Sequence, residues 1–306
     1  MPTFPLRLSI LCAALLAIPF FQTAVAAAQS ATPTNNILFR VLMVRSQFDY
    51  GTIFSIDVDQ REYWITAKHI LTGAKHPPYG SVASQTVTLK ILSPDASRET
   101  WLPETFSVID PGKDIDIIVL APREPLLTEP IPTLPAESNG VVIGGDCSFL
   151  GFPASIAGVW RARFSEQGAW FWMPFIKHCT VSGRFVEPLN YWVLDGINNP
   201  GFSGGPVVFL TGPAQKILGV VSGYYSEPTD VVAAALPNKT VPPKKPNSSQ
   251  SSPTKKLTQS SKLAAEKSKQ IVNTNSGFMI AFDITYAVEA IKKHPIGPLR
   301  TALGSK

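Results

Sequence analysis

Short β-like runs separated by turn-forming residues fill the chain from Asn36 onward, and no long stretch repeats apolar residues at helical spacing before the last residues. Strand candidates are residues 37–44, 51–58, 62–66, 117–120, 141–143, 148–151, 169–172, 175–181, 191–194, 207–210, 217–222 and 277–282. Val87, Leu89 and Ile91 alternate with Thr88 and Lys90, the period of a half-buried strand. Many short strands at this spacing predict an all-β sandwich or barrel. Five prolines between Pro122 and Pro135 are too many for a paired strand, so that stretch reads as a connection between two halves. After the last strand, Asp283 is placed to cap a short amphipathic helix over 283–293. Its buried face is Ile284, Ala287, Val288 and Ile291, and Pro295 ends it.

Charge is concentrated rather than spread. Eight lysines and one acid, Glu266, lie between Lys239 and Lys269, against a whole-chain net of +5, so the remainder is slightly acidic. A folded basic face for nucleic acid is therefore not expected. Residues 237–275 are rich in Ser, Lys, Pro, Thr and Gln and poor in large apolar residues. Such a segment cannot bury enough surface to offset its ordering entropy, so it is expected to be a mobile insert within a folded domain. Closure entropy grows only logarithmically with length, which makes such an insert inexpensive. It is either an inert loop or an overhang that attracts acidic partners.

The N-terminus reads as a targeting segment. Arg7 is the only charged side chain before a mostly apolar run from Leu8 to Phe21, and Ala24-Val25-Ala26 follows with small residues where a signal peptidase reads. Residues 1–26 are expected to be removed on export to a periplasmic or extracellular space, leaving no stable membrane span. Cleavage would take Cys12 away and leave Cys147 and Cys179. In an oxidising compartment these are either a disulfide or two separately buried thiols. No Cys/His spacing suggests a metal site.

One octapeptide carries chemistry: Asn199-Pro200-Gly201-Phe202-Ser203-Gly204-Gly205-Pro206. Its glycines allow a tight backbone whose N–H groups converge on a point, and Ser203 places one hydroxyl within it. A serine hydroxyl needs a base and donors for the charge that develops on the carbonyl it attacks. Trp64-Ile65-Thr66-Ala67-Lys68-His69 delivers a histidine just past a strand, and Asp114-Ile115-Asp116-Ile117-Ile118-Val119-Leu120 feeds an acid into a buried run. The other histidines, His76, His178 and His294, lack such a context.

In the order His69, Asp116, Ser203, these stretches resemble the trypsin-like (chymotrypsin-fold) serine peptidases of the bacterial secreted type. The family's T-A-x-H stands at Thr66 to His69, its D-[IL]-x-[VL]-L at Asp116 to Leu120, and its G-x-S-G-G-P at Gly201 to Pro206. Gly51-Thr52-Ile53-Phe54 and Gly219-Val220-Val221-Ser222-Gly223 match as well, and 278–282 resembles the last barrel strand. The resemblance implies two packed six-stranded antiparallel β-barrels with a short C-terminal helix. The first barrel would occupy 36–125 and the second 136–282, interrupted by the insert at 237–275, with helix and tail at 283–306. It also implies endopeptidase activity on protein or peptide substrates, without a cofactor, through an acyl-enzyme intermediate. His69 would be the general base, Asp116 its orienting carboxylate and Ser203 the nucleophile, with the N–H groups of Gly201 and Ser203 as oxyanion hole. Asp114 sits two residues before Asp116, and parity alone leaves it open.

Phe202 stands where digestive members carry an aspartate that pairs with a new N-terminus, so no such zymogen step is expected. The primary pocket would be walled by Ile197, Asn198, Ser222, Gly223 and Tyr224. None of these is acidic, and an apolar or small side chain at the cleavage site is the expectation. The aromatic-rich stretch 160–175 reads as core or rim packing, with a substrate-facing wall as its alternative. Gly201-Phe202-Ser203-Gly204-Gly205 also satisfies the nucleophile-elbow pattern of serine esterases, but the β-like run after it contradicts the helix that fold requires. A catalytically silent binding protein on the same fold remains the alternative, and oligomeric state is left open.

Overall fold

A computed structural model describes residues 33–93, 98–127, 131–153, 161–162, 170–231 and 270–300. The expected targeting segment and the C-terminal tail from 301, together with most of the insert, lie outside them.

The first barrel is built from β1 (Val41–Arg45), β2 (Tyr50–Val58), β3 (Arg61–Thr66), β4 (Thr86–Leu92), β5 (Trp101–Ile109) and β6 (Ile118–Pro122). All neighbours are antiparallel in the order β1-β2-β3-β6-β5-β4, and β1 pairs with β4 to close the ring. The second uses β7 (Asp146–Gly151), β10 (Phe175–Phe185), β11 (Tyr191–Asp195), β12 (Pro206–Thr211), β13 (Ala214–Val231) and β14 (Gln270–Asp283), closed in the order β10-β11-β14-β13-β12-β7. A two-stranded ribbon, β8 (Arg161–Ala162) and β9 (Phe171–Trp172), pairs with neither barrel, though Trp172 is buried in the cluster the barrels share, as core packing of this aromatic-rich stretch predicts. Among the described residues three helices complete the set: α1 (Asn35–Leu38), α2 (Lys68–Thr72) and α3 (Thr285–Lys293). The expected pair of six-stranded barrels with a short C-terminal helix is therefore present.

Each barrel has its own apolar interior. Leu42, Ile53, Trp64, Leu89, Phe106 and Leu120 fill the first, and Phe149, Val181, Leu194, Val207, Val221 and Met279 fill the second. A third cluster joins residues of both barrels with α3, among them Phe54, Ile65, Val119, Val208, Phe282 and Ile291. Burial of this shared face holds the barrels side by side.

Several expected boundaries move. The strand expected over 37–44 begins as the short helix α1, because Ile37 and Leu38 are apolar to reach the core rather than to line a sheet. Residues 141–143 form turns, with Val142 and Ile143 exposed. Of the described residues in 169–172, only Phe171–Trp172 is strand, and Ala169 lies outside them. The segment expected as insert up to 275 is already paired strand from Gln270 onward, in register with Val231. Asp283 caps α3 from one residue further out than expected. Its Oδ1 accepts the Thr285 N–H at 2.9 Å and the Thr285 hydroxyl at 2.7 Å, while Ile284 occupies the N-cap position.

Candidate active site

β3 ends at Thr66, and the chain turns at once into α2, which carries His69. The preceding side chain, Lys68, is wholly buried. Its Nζ donates to Asp110 Oδ1 at 2.5 Å and to the Gly112 carbonyl. That ion pair ties α2 to the segment between β5 and β6, on which Asp116 stands. Asp116 is fully buried. Its Oδ1 accepts the His69 backbone N–H at 2.8 Å, and its Oδ2 lies 2.7 Å from His69 Nδ1 and accepts the Ser222 hydroxyl at 2.5 Å. A carboxylate facing Nδ1 assigns the ring proton to that nitrogen and leaves Nε2 able to accept another. Asp114 is only half-buried and has no hydrogen-bond partner among the described residues, so the geometry separates the two acids.

Ser203 directly follows a four-residue turn, Asn199 to Phe202. Phe202 N–H donates to the Asn199 carbonyl at 3.2 Å, Pro200 is the first central residue, and Gly201 is the second with φ +102°. Proline followed by a residue of positive φ is the signature of a type II turn. Neither the Gly201 nor the Ser203 amide N–H has an acceptor among the described residues. The Ser203 hydroxyl donates to the Ser222 carbonyl at 3.2 Å. Ser222 therefore touches Ser203 through its carbonyl and Asp116 through its hydroxyl, which brings all three expected residues into one connected group.

The first barrel grips this turn through Thr52 on β2. Its N–H donates to the Ser203 carbonyl at 2.8 Å and its hydroxyl to the Gly201 carbonyl at 2.7 Å. Gly204 explains why the loop comes so close. It has φ +84°, and a Cβ there would stand 2.2 Å from the Thr52 carbonyl and 2.3 Å from Thr66 Oγ1.

Beneath the turn lies Lys177 of β10. Its ammonium donates to the Ile197 carbonyl and, at 2.9 Å, to Asn199 Oδ1, and it stands 5.8 Å from the ring centre of Phe202 and of Phe149. Burial depresses its pKa from the ordinary lysine value. Phe202 is buried edge-on against Phe149, with ring centres 5.0 Å apart.

Of the expected pocket walls, Ile197 and Tyr224 are largely exposed, whereas Asn198 and Ser222 are buried. Asn198 Nδ2 donates to the Gly223 carbonyl at 3.2 Å and so joins the two walls. Cys147 and Cys179 face each other across β7 and β10, both buried, with Sγ atoms 2.6 Å apart. The hydrogen bond to Cys147 and then burial push the Cys179 thiol well up. His178 is exposed on β10 and His294 ends α3, both away from this group. The sequence marked Ser222 only as a wall residue, and Lys68 and Lys177 were not singled out. The lysines carry no motif, but a lysine between Ala67 and His69, at a strand tip leading into the core, was a readable oddity.

No protein-family model matches the chain, and no curated protein matches it. Solved structures of similar shape include the Rv3671c protease of M. tuberculosis in its inactive form, at 16% identity, TM-score 0.42, and coverage of 83% of this chain and 88% of that one. The HtrA-type protease AlgW with tripeptide is similar at 14% identity and TM-score 0.45, over 85% of this chain and 62% of that one. The serine endoprotease from Yersinia pestis is similar at 18% identity and TM-score 0.38, over 63% and 59%.

Proposed function

We propose that the chain is a serine endopeptidase that works through His69, Asp116 and Ser203. The supporting observation is the group centred on Ser222, with the His69 ring braced by Asp116 at 2.7 Å and the Ser203 hydroxyl hydrogen-bonded to the same residue that holds Asp116. In this reading the Ser203 hydroxyl turns from the Ser222 carbonyl to His69 Nε2 when substrate arrives. Catalytic hydrogen bonds often tighten only in the substrate complex. Nε2 takes the proton as Ser203 Oγ attacks the scissile carbonyl, and Asp116 stabilises the imidazolium. The N–H groups of Gly201 and Ser203 receive the oxyanion. The same proton then goes to the leaving amine, and water attacking the acyl-enzyme repeats the cycle. Removing one oxyanion donor typically costs about 10²–10³ in rate.

The targeting segment at 1–26 supports export to the periplasm or the outside of the cell. A silent binding protein is the second reading, favoured by the Ser203 hydroxyl resting on Ser222 rather than on His69. Labelling with a fluorophosphonate probe separates the two. Rapid modification of Ser203 is expected; an unlabelled, folded protein would favour the binding protein.

A further inference from the structure

The turn before Ser203 rests on a cation that has no counter-ion. Lys177 lies on β10 directly opposite Phe149 of β7, and Phe149 meets the ring of Phe202 edge-on. The ammonium stands 5.8 Å from the centre of each ring, within cation–π range. It donates to the Ile197 carbonyl and, at 2.9 Å, to Asn199 Oδ1. Asn199 opens the turn and Phe202 closes it, so one charge touches the approach to the turn, its first residue and its last.

Only neutral groups answer that charge. Lys177 makes no ion pair among the described residues. The acids of the two strands paired with β10, Asp146 on β7 and Asp195 on β11, bear on Cys179 instead. His178 is on the opposite face of β10, 3.5 Å from the Ser148 hydroxyl, and residues 196–203 carry no ionisable acid or base. Burial alone depresses the Lys177 pKa from the ordinary lysine value.

We propose that Lys177 is a positioning residue for Ser203: its ammonium holds the turn from Asn199 to Phe202 in the reactive arrangement, and loss of its charge slackens that hold. The proposal rests on the peptidase reading and adds an alkaline limit to it. A neutral amine still donates to both oxygens, but charge-assisted hydrogen bonds are roughly twice as strong as neutral ones, and the attraction to the two rings disappears with the charge. Activity is therefore expected to decline as the pH rises through a value below the ~10.4 of an ordinary lysine.

The full-length protein, Lys177→Met and Lys177→Arg are compared by kcat and KM on fluorescein-labelled casein from about pH 7 to 10.5. Fluorophosphonate labelling of Ser203 is followed in all three near neutral pH. Lys177→Met is expected to lose about tenfold in kcat with KM little changed, and to show no alkaline decline of its own. Lys177→Arg stays charged throughout and is expected to restore part of kcat with a flat alkaline profile. A labelled wild type whose alkaline decline recurs unchanged in Lys177→Met overturns the proposal, as does a Met variant with wild-type kcat. A wild type with no decline in this range overturns it too. If one variant does not fold, the other decides against the wild type; a decline that persists in Lys177→Arg counts against the proposal as it does in Lys177→Met. A wild type that neither cleaves nor labels overturns the peptidase reading, and this proposal with it.

Discussion

Ser203→Ala is expected to lower hydrolysis of casein by on the order of 10⁴–10⁶, because members of such a group act as a unit. Undiminished cleavage would remove Ser203 from the mechanism. Lys177 bears on the same turn from below. Replacing it with methionine keeps the aliphatic stem and removes the bonds to the Ile197 carbonyl and Asn199 Oδ1. Hydrogen bonds from a charged donor contribute about 1.5–3 kcal/mol. Lys177→Met is therefore expected to slow kcat by about tenfold with the barrels intact, read by steady-state kinetics beside a circular dichroism melt. At this scale the sequence was legible where a side chain lies in a local pattern, as with His69, Asp116 and Ser203. It was silent where the partner comes from a distant strand. Lys177 lies between Ile176 and His178, and nothing there marks a residue that supports a turn more than twenty positions on.

Among elements, the loop from Asn199 to Pro206 depends on how tightly it seats against β2 and β3. Gly204→Ala forces a side chain into the Thr52 carbonyl and the Thr66 hydroxyl at a positive φ. Strain of that kind together with overpacking costs at least about 2 kcal/mol. The expected result is a lower denaturant midpoint and lost Ser203 labelling; an unchanged midpoint would mean that the loop does not seat there. Most strands were readable from apolar runs, but β5 was not. It contains Pro103 and Glu104 and exposes much of its length. Proline is tolerated because Pro103 pairs only with Lys90 of β4, while β6 pairs further along, at Phe106 to Ile109. Conversely, Val142 and Ile143 read as a strand and face solvent in turns, since a short apolar run does not state what it packs against.

For the whole molecule, Tyr79 couples the two barrels. It stands between α2 and β4, and its ring meets Phe282 of β14 edge-on with centres 6.0 Å apart. Burial, and then the charge of Asp116, push its pKa up to about 12. The folded state thus keeps a proton that an unfolded chain releases near pH ~10. The stabilisation is whole below that pH and is lost as the pH rises toward about 12. Denaturant midpoints measured across this range are expected to fall more steeply for the parent than for Tyr79→Phe; equal slopes would exclude Tyr79 as the titrating group. The two-barrel plan itself was legible, because the three short motifs specify it together. The shared face that Tyr79, Phe282 and α3 build was not, since contacts between barrels leave no period in the sequence.

The pairing of Val231 with Gln270 carries a consequence for evolution and for engineering alike. Whatever joins those two positions need only span the gap between neighbouring strands, about 5 Å. The barrel wall thus runs through β13 before the lysine-rich stretch begins and is completed by β14 after it ends. That stretch is free to lengthen, shorten or be exchanged for a reporter while the chemistry at the seam keeps its own scaffold.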